Sequence, residues 1–160
     1  MRLSILAVGR MKSGPESELF AKYFDRAARA GRQLGISGLS HREIAESRHA
    51  NPATRREEEA ARLAAMLSPG SIAIILDEKG EDLASQAFAG WIRSNLDGGT
   101  PEISFLVGGP DGHGKSVHGF ANRSIRFGSL TWPHQIVRVL VAEQLYRAMT
   151  LLSGHPYHRV

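Results

Sequence analysis

The chain has 160 residues, 20 Lys and Arg against 16 Asp and Glu, a formal net charge of +4, and no cysteine. That excludes disulfides, thiolate catalysis and cysteine-held zinc, and it accords with a cytoplasmic protein. An isoelectric point near 9.8 leans towards a polyanionic partner, and 42% hydrophobic with 22% charged residues predicts one globular domain over residues 1–160. No apolar run is long enough to span a bilayer, and the apolar part of MRLSILAVGR is too short for a secretory signal.

Arg2 to Val8 reads as a buried strand ending at Gly9-Arg10. Ser13, Gly14 and Pro15 then open a helix with Leu19, Phe20, Tyr23, Phe24 and Ala27 at helical spacing, a stripe suited to the core. Ile36 to Ile44 is interrupted by glycine and only weakly strand-like. Asn51-Pro52 starts the next helix, and its charges Arg55, Arg56, Glu57, Glu58 and Glu59 read as a solvated face.

Pro69-Gly70 is a turn, and Ile72 to Leu76 is an apolar run ending in Asp77, as in a central parallel strand. Asp82 to Leu96 predicts a helix with Leu83, Ala87, Phe88, Trp91 and Ile92 inward, closed by Asp97-Gly98-Gly99. Ile103 to Val107 is a further buried strand. This alternation argues an α/β domain, a mostly parallel sheet flanked by helices. In such sheets ligands lie beyond the carboxyl ends of strands, here after Leu76 and after Val107.

The last helix runs from Pro133 to about Ser153, where Gly154 stops it and Pro156 forbids continuation. Glu143, Gln144, Arg147 and Thr150 share one face, and the rest is apolar over an arc wider than a surface helix needs. Such a helix needs cover from its own sheet and from a second subunit. Arg138 projects among apolar neighbours, so it must hold a carboxylate, a backbone oxygen or a phosphate. Glu143 and Arg147 form an i,i+4 pair.

Gly109 to Ser116 (GPDGHGKS) matches the phosphate-cradling P-loop pattern after a strand, which would make the chain a nucleotide hydrolase with Lys115 on the phosphates and Ser116 on magnesium. Gly119 interrupts the helix that should follow, and no apolar strand ending in Asp comes later. Both features count against that reading, and the nucleotide hydrolase stands as an alternative expectation.

Leu76-Asp77 at a strand end, the loop LVGGPDG and the tail SLTWPHQIVRVLVAEQLYRA…GHPYHR carry a resemblance. The chain resembles the small SPOUT-class methyltransferases of the ribosomal large subunit, which methylate N3 of a pseudouridine in 23S ribosomal RNA. The likeness extends from ILAVGR to the terminal YHR, and Val160 departs from it. It implies an α/β fold with a C-terminal trefoil knot of SPOUT type, a homodimer, S-adenosyl-L-methionine as methyl donor, and the assembled large subunit or ribosome as partner. A non-catalytic dimer that binds ribosomal RNA is the competing expectation.

By that resemblance the cofactor contacts fall on Leu76, Gly108, Phe127, Gly128, Ser129, Leu130, Thr131 and Trp132. A flat adenine suits apolar walls with loop amides at its edges. The catalytic candidates are Arg138 and the tail residues Tyr157, His158 and Arg159. His158 titrates in the range to take a proton, an arginine stabilises a developing imidate or holds a phosphate, and Tyr157 bonds or stacks on the base. Arg10, Lys12, Lys115, Arg123 and Arg126 are candidate phosphate contacts. His155 and His158 lack a third ligand at metal-binding spacing, so no metal is expected.

Overall fold

The computed structural model describes residues 1–154 and has five strands: the apolar runs in β1 (Arg2–Val8), β4 (Glu102–Val107) and the first half of β3 (Ile72–Asp82), and the more polar β2 (Gly38–Ile44) and β5 (Arg123–Arg126). They form one sheet in the order β2-β1-β4-β3-β5, and every pairing is parallel. The connecting helices are α1 (Pro15–Gln33), α2 (Pro52–Ala64), α3 (Ser85–Asp97), α4 (Val117–Phe120) and α5 (His134–Ser153).

Side chains alternate across a strand, so each buried strand feeds two cores. Leu3, Ile5, Ala7, Ile74, Leu76, Ile103, Phe105 and Val107 pack with residues of α1, α3 and α5, including Phe20, Phe88 and Leu145. Leu6, Val8, Ala73, Ile75 and Leu106 pack on the other face with Ala60 and Leu63 of α2 and Val117 of α4. At the amino end of the sheet Ser4 Oγ donates to Glu102 Oε1 at 2.8 Å, and Arg2 and Ser68 hold Glu102 Oε2 at 2.9 Å each. That network satisfies a nearly buried carboxylate.

Asn51 caps α2 through Oδ1, which accepts from Ala53 N at 2.8 Å, with Pro52 in the first turn. Gly154 ends α5 at φ 69°, the left-handed conformation a side chain would resist. Pro133 is the residue before α5 rather than its first.

Several expectations need correction. Leu19 is 43% exposed, because Phe20 and Ala27 set the inward face of α1. In α3 Ala87 is exposed and Ala89 buried. Asp82, expected to start the helix, instead ends β3, and α3 begins at Ser85: after a bulge, Glu81 and Asp82 pair with Ile125 and Arg126. There Gly80 is required, since a Cβ would lie 2.5 Å from the carbonyl carbon of Ile125. Thr150 is buried, its hydroxyl donating to Arg147 O at 2.8 Å.

Candidate functional site

The parallel registers align one residue from every strand into a single row: Glu43, Ala7, Val107, Leu76 and Ile125. Beyond that row β1 and β2 continue by one pair, Val8 with Ile44, β4 gives way to loop, and β3 passes through a bulge before Asp82 pairs with Arg126. Gly108 follows Val107 directly, and Phe127 comes two residues after Ile125. The topology therefore gathers Leu76, where the regular pairing of β3 breaks off, Gly108 after β4 and the 127–132 loop after β5 on the carboxyl side of three adjacent strands.

The 127–132 loop exposes apolar surface at this edge. Leu130 is 72% and Trp132 42% exposed, though both are large hydrophobic side chains. Trp132 Nε1 donates to Phe127 O at 2.8 Å, and Thr131 Oγ1 donates to Glu78 Oε2 at 3.3 Å, tying the loop to itself and to the β3 bulge. Phe127 packs on the core, and Gly128 turns the chain at φ 94°. Next to this loop a cavity of about 370 Å³ is lined by Phe127, Gly128, Ile125, Ser85, Phe88 and Gln144, among others. It borders the loop from the α3 side and does not reach Leu76 or Gly108.

Gly108 serves loop closure as well as any ligand: its Cβ would stand 3.0 Å from the carbonyl carbon of Gly112. His113, just beyond, was legible in the sequence only as part of a phosphate-loop pattern. Its Nε2 is buried with no hydrogen-bond partner among the described residues. Burial pushes the imidazole below its ordinary pKa, opposed by Asp77 and by the Leu106 and Leu76 carbonyls that face it. The exposed Leu130 and Trp132 side chains, set among the backbone amides of the 127–132 loop, fit a ligand with a flat heterocycle and polar edges.

The phosphate-loop expectation fails on geometry. Lys115 N and Ser116 N, which would cradle phosphates, donate instead to the Glu57 carboxylate at 2.6 and 3.3 Å. The helix that follows, α4, has four residues. Glu57 and its neighbours are likewise not a solvated face: Arg55 bonds Asp111 at 2.8 Å, Glu58 accepts from Ser47 Oγ, and Glu59 is 5% exposed.

Arg138 is fully buried. Nη1 donates to Glu43 Oε1 at 2.8 Å, and Nη2 donates to the carbonyls of Val8 at 2.5 Å and Gly9 at 2.9 Å. It thus holds a carboxylate and backbone oxygens of its own chain. His134, one turn earlier, lies below its ordinary pKa through burial and the Arg138 charge, with Glu46 opposing. Tyr157, His158 and Arg159 lie outside the described residues, as do His155 and Val160. Among the basic candidates, Arg123 pairs with Glu81 and lies over the Trp91 ring, and Arg126 pairs with Asp82. Arg10, Lys12 and Lys115 are exposed, without ion pairs among the described residues. No group of His, Asp and Glu among those residues is arranged to hold a metal ion.

A wholly parallel five-stranded sheet flanked by helices on both faces is the α/β architecture of an enzyme of the SPOUT fold. The chain belongs to the SPOUT methyltransferase family: residues 1–158 match the family described as "Predicted SPOUT methyltransferase". It is 52% identical over 160 residues, the whole of both chains, to a protein of Rhizobium leguminosarum bv. trifolii named ribosomal RNA large subunit methyltransferase H. A protein of the same name from Sinorhizobium fredii is 48% identical over 159 residues, 99% of each chain. Among solved structures, a probable methyltransferase from Bordetella pertussis Tohama I shares the fold with a TM-score of 0.51 and 15% identity, over 92% of this chain and 95% of that one.

Proposed function

We propose that this methyltransferase uses S-adenosyl-L-methionine to methylate N3 of a pseudouridine in 23S ribosomal RNA, on the assembled large subunit or ribosome. The observation that carries the proposal is the register row that puts Leu76, Gly108 and the 127–132 loop at one sheet edge. The names of the relatives support the ribosomal substrate.

When bound, the donor supplies an electrophilic methyl group. The chain's own part is alignment and management of the imide proton. Leu76, Leu130 and Trp132 wall the donor, and the amides of Gly108, Gly128 and Ser129 meet its polar edges. Arg138 acts through Glu43 and the Val8 and Gly9 carbonyls, fixing the turn that carries Arg10 and Lys12 towards phosphates. Tyr157, His158 and Arg159 complete the site around N3.

A homodimer in the cytoplasm is part of the proposal. Ile136, Leu140 and Leu151 of α5 remain half exposed in the single chain, the surface a second copy would cover. No helix among the described residues is long and apolar enough to cross a membrane. The trefoil knot is proposed with the family.

Calorimetry with S-adenosyl-L-methionine, S-adenosylhomocysteine and ATP tests the donor: the first two bind and ATP does not. Mass spectrometry of large-subunit RNA from a deletion strain tests the reaction. Persistence of the methylated pseudouridine there overturns the proposal.

A further inference from the structure

A second crevice, of about 320 Å³, opens beside the donor edge between the β2–α2 loop and the β4–α4 loop. Its lining includes Glu46, Ser47, Arg48, Glu59, Pro110 and Asp111. Pro110 and Asp111 belong to the loop that starts at Gly108, so crevice and donor edge share a wall.

At its floor Glu59 is 5% exposed. Oε1 accepts the Ser47 N–H at 2.8 Å, and no hydrogen bond among the described residues engages Oε2. That oxygen sits against the loop, 3.3 Å from where a Cβ on Gly109 would be. Oε2 is open to the crevice rather than sealed in the core, so it is free to accept a ligand N–H. Burial raises its pKa, the Ser47 N–H and Arg62 oppose, and Glu46 and Asp111 add to the rise. At the rim Arg55 is committed to Asp111 and to the carbonyls of His49 and Ala50, at 2.8, 2.9 and 3.1 Å. Arg48 is exposed and makes no ion pair among the described residues.

We propose that this crevice binds the target nucleotide of the RNA, a uracil-type base whose imide N–H is accepted by Glu59 and whose phosphate meets Arg48. The assignment rests on the function proposed above and names where its acceptor lies. The size is at the lower end of small-molecule sites, which suits one nucleotide. An acceptor-only carboxylate selects an imide N–H and repels the N3 lone pair of cytosine. A site built to bond an N–H rejects an analogue lacking it far more strongly than an apolar wall does. Sequence reading missed Glu59 because it stands in a run of charges on a helix start.

The test is a nuclear magnetic resonance titration of the full chain at about pH 8 with uridine 5′-monophosphate, its N3-methyl derivative and cytidine 5′-monophosphate. Uridine monophosphate should shift the Ser47, Arg48 and Asp111 amides, and the other two should bind roughly tenfold or more weakly. Glu59→Gln, which keeps an acceptor for Ser47 N, should erase that discrimination. Arg48→Ala should weaken the nucleotide but not uridine. Shifts that map elsewhere, or discrimination unchanged in Glu59→Gln, overturn the assignment. S-adenosylhomocysteine titrated into the same samples reads the donor edge separately, so nucleotide binding without it leaves this assignment standing and fails the donor proposal.

Discussion

Arg138 Nη1 lies 2.8 Å from Glu43 Oε1, an ion pair that joins the second turn of α5 to the penultimate residue of β2. Glu43 Oε1 also accepts the Met11 N–H at 2.8 Å. One carboxylate oxygen therefore ties the last helix to the β1–α1 turn, at the register row that bounds the site.

Arg138→Ala should destabilise the chain by about 3 kcal/mol or more, because it strands a half-buried carboxylate and two carbonyls. Arg138→Met combined with Glu43→Gln should recover part of that loss by removing the unpaired charge. Urea denaturation of the single and double variants checks this. Equal losses would show that the carbonyls of Val8 and Gly9 carry the effect.

Two glycines make opposite predictions. Gly80→Ala forces a Cβ to 2.5 Å from the Ile125 backbone, which cannot yield as a side chain end would. It should cost about 1–3 kcal/mol and loosen the β3–β5 pairing. Gly90 is exposed within α3, and a Cβ there meets nothing within 4 Å. Gly90→Ala should stabilise by about 0.5–1 kcal/mol through helix propensity. Thermal melts of both variants decide the matter.

β1, β4 and the first half of β3 were legible because parallel strands buried on both faces are written as apolar runs, as in Ile72 to Leu76 and Ile103 to Val107, whereas β5, with the single apolar residue Ile125, was not. Arg138 was legible because a guanidinium in an apolar arc must be paired. What escaped depends on partners distant in sequence. Glu59 looks solvated until the β2–α2 loop delivers Ser47, and Asp82 looks like a helix start until Arg126 arrives beside it. The phosphate-loop pattern matched letter by letter, yet Glu57 occupies its amides. The proposed donor edge came from resemblance, and the register row adds that Leu76, Gly108 and the 127–132 loop lie on one side of the sheet.

Stability should fall on acidification below neutrality. Burial holds His113 below its ordinary 6.5, and His41 and His134 shift in the same direction, burial again the largest cause. The unfolded chain takes up these protons near 6.5 and the folded chain does not. The contribution is therefore complete above that pH and lost as the pH falls from 6.5 towards the folded pKa values. His113→Gln should flatten this slope, measured by denaturant midpoints between about pH 5 and pH 8.

Removing Tyr157 to Val160 should abolish most methylation while S-adenosylhomocysteine binds with near-normal affinity. The proposed donor residues, Leu76, Gly108 and 127–132, belong to β3 and to the segments after β4 and β5. Single-turnover assays on ribosomes, alongside calorimetry, separate the two effects. Parallel loss of binding would place the tail in the donor site.

Leu130 gives the sharpest test of the donor edge. At 72% exposed it contributes little to the unliganded fold, so Leu130→Ala should leave the unliganded melting temperature nearly unchanged. If the donor covers this side chain, the same substitution forfeits about 1.5–3 kcal/mol of apolar burial, a loss of roughly tenfold or more in affinity. Fluorescence reports the event directly. Of the two tryptophans, Trp132 stands on the 127–132 loop and Trp91 lies in α3 beneath Arg123. In a Trp91→Phe background, S-adenosylhomocysteine should alter the Trp132 emission with the dissociation constant found by calorimetry. Unchanged emission together with unchanged affinity in Leu130→Ala would move the donor off this loop.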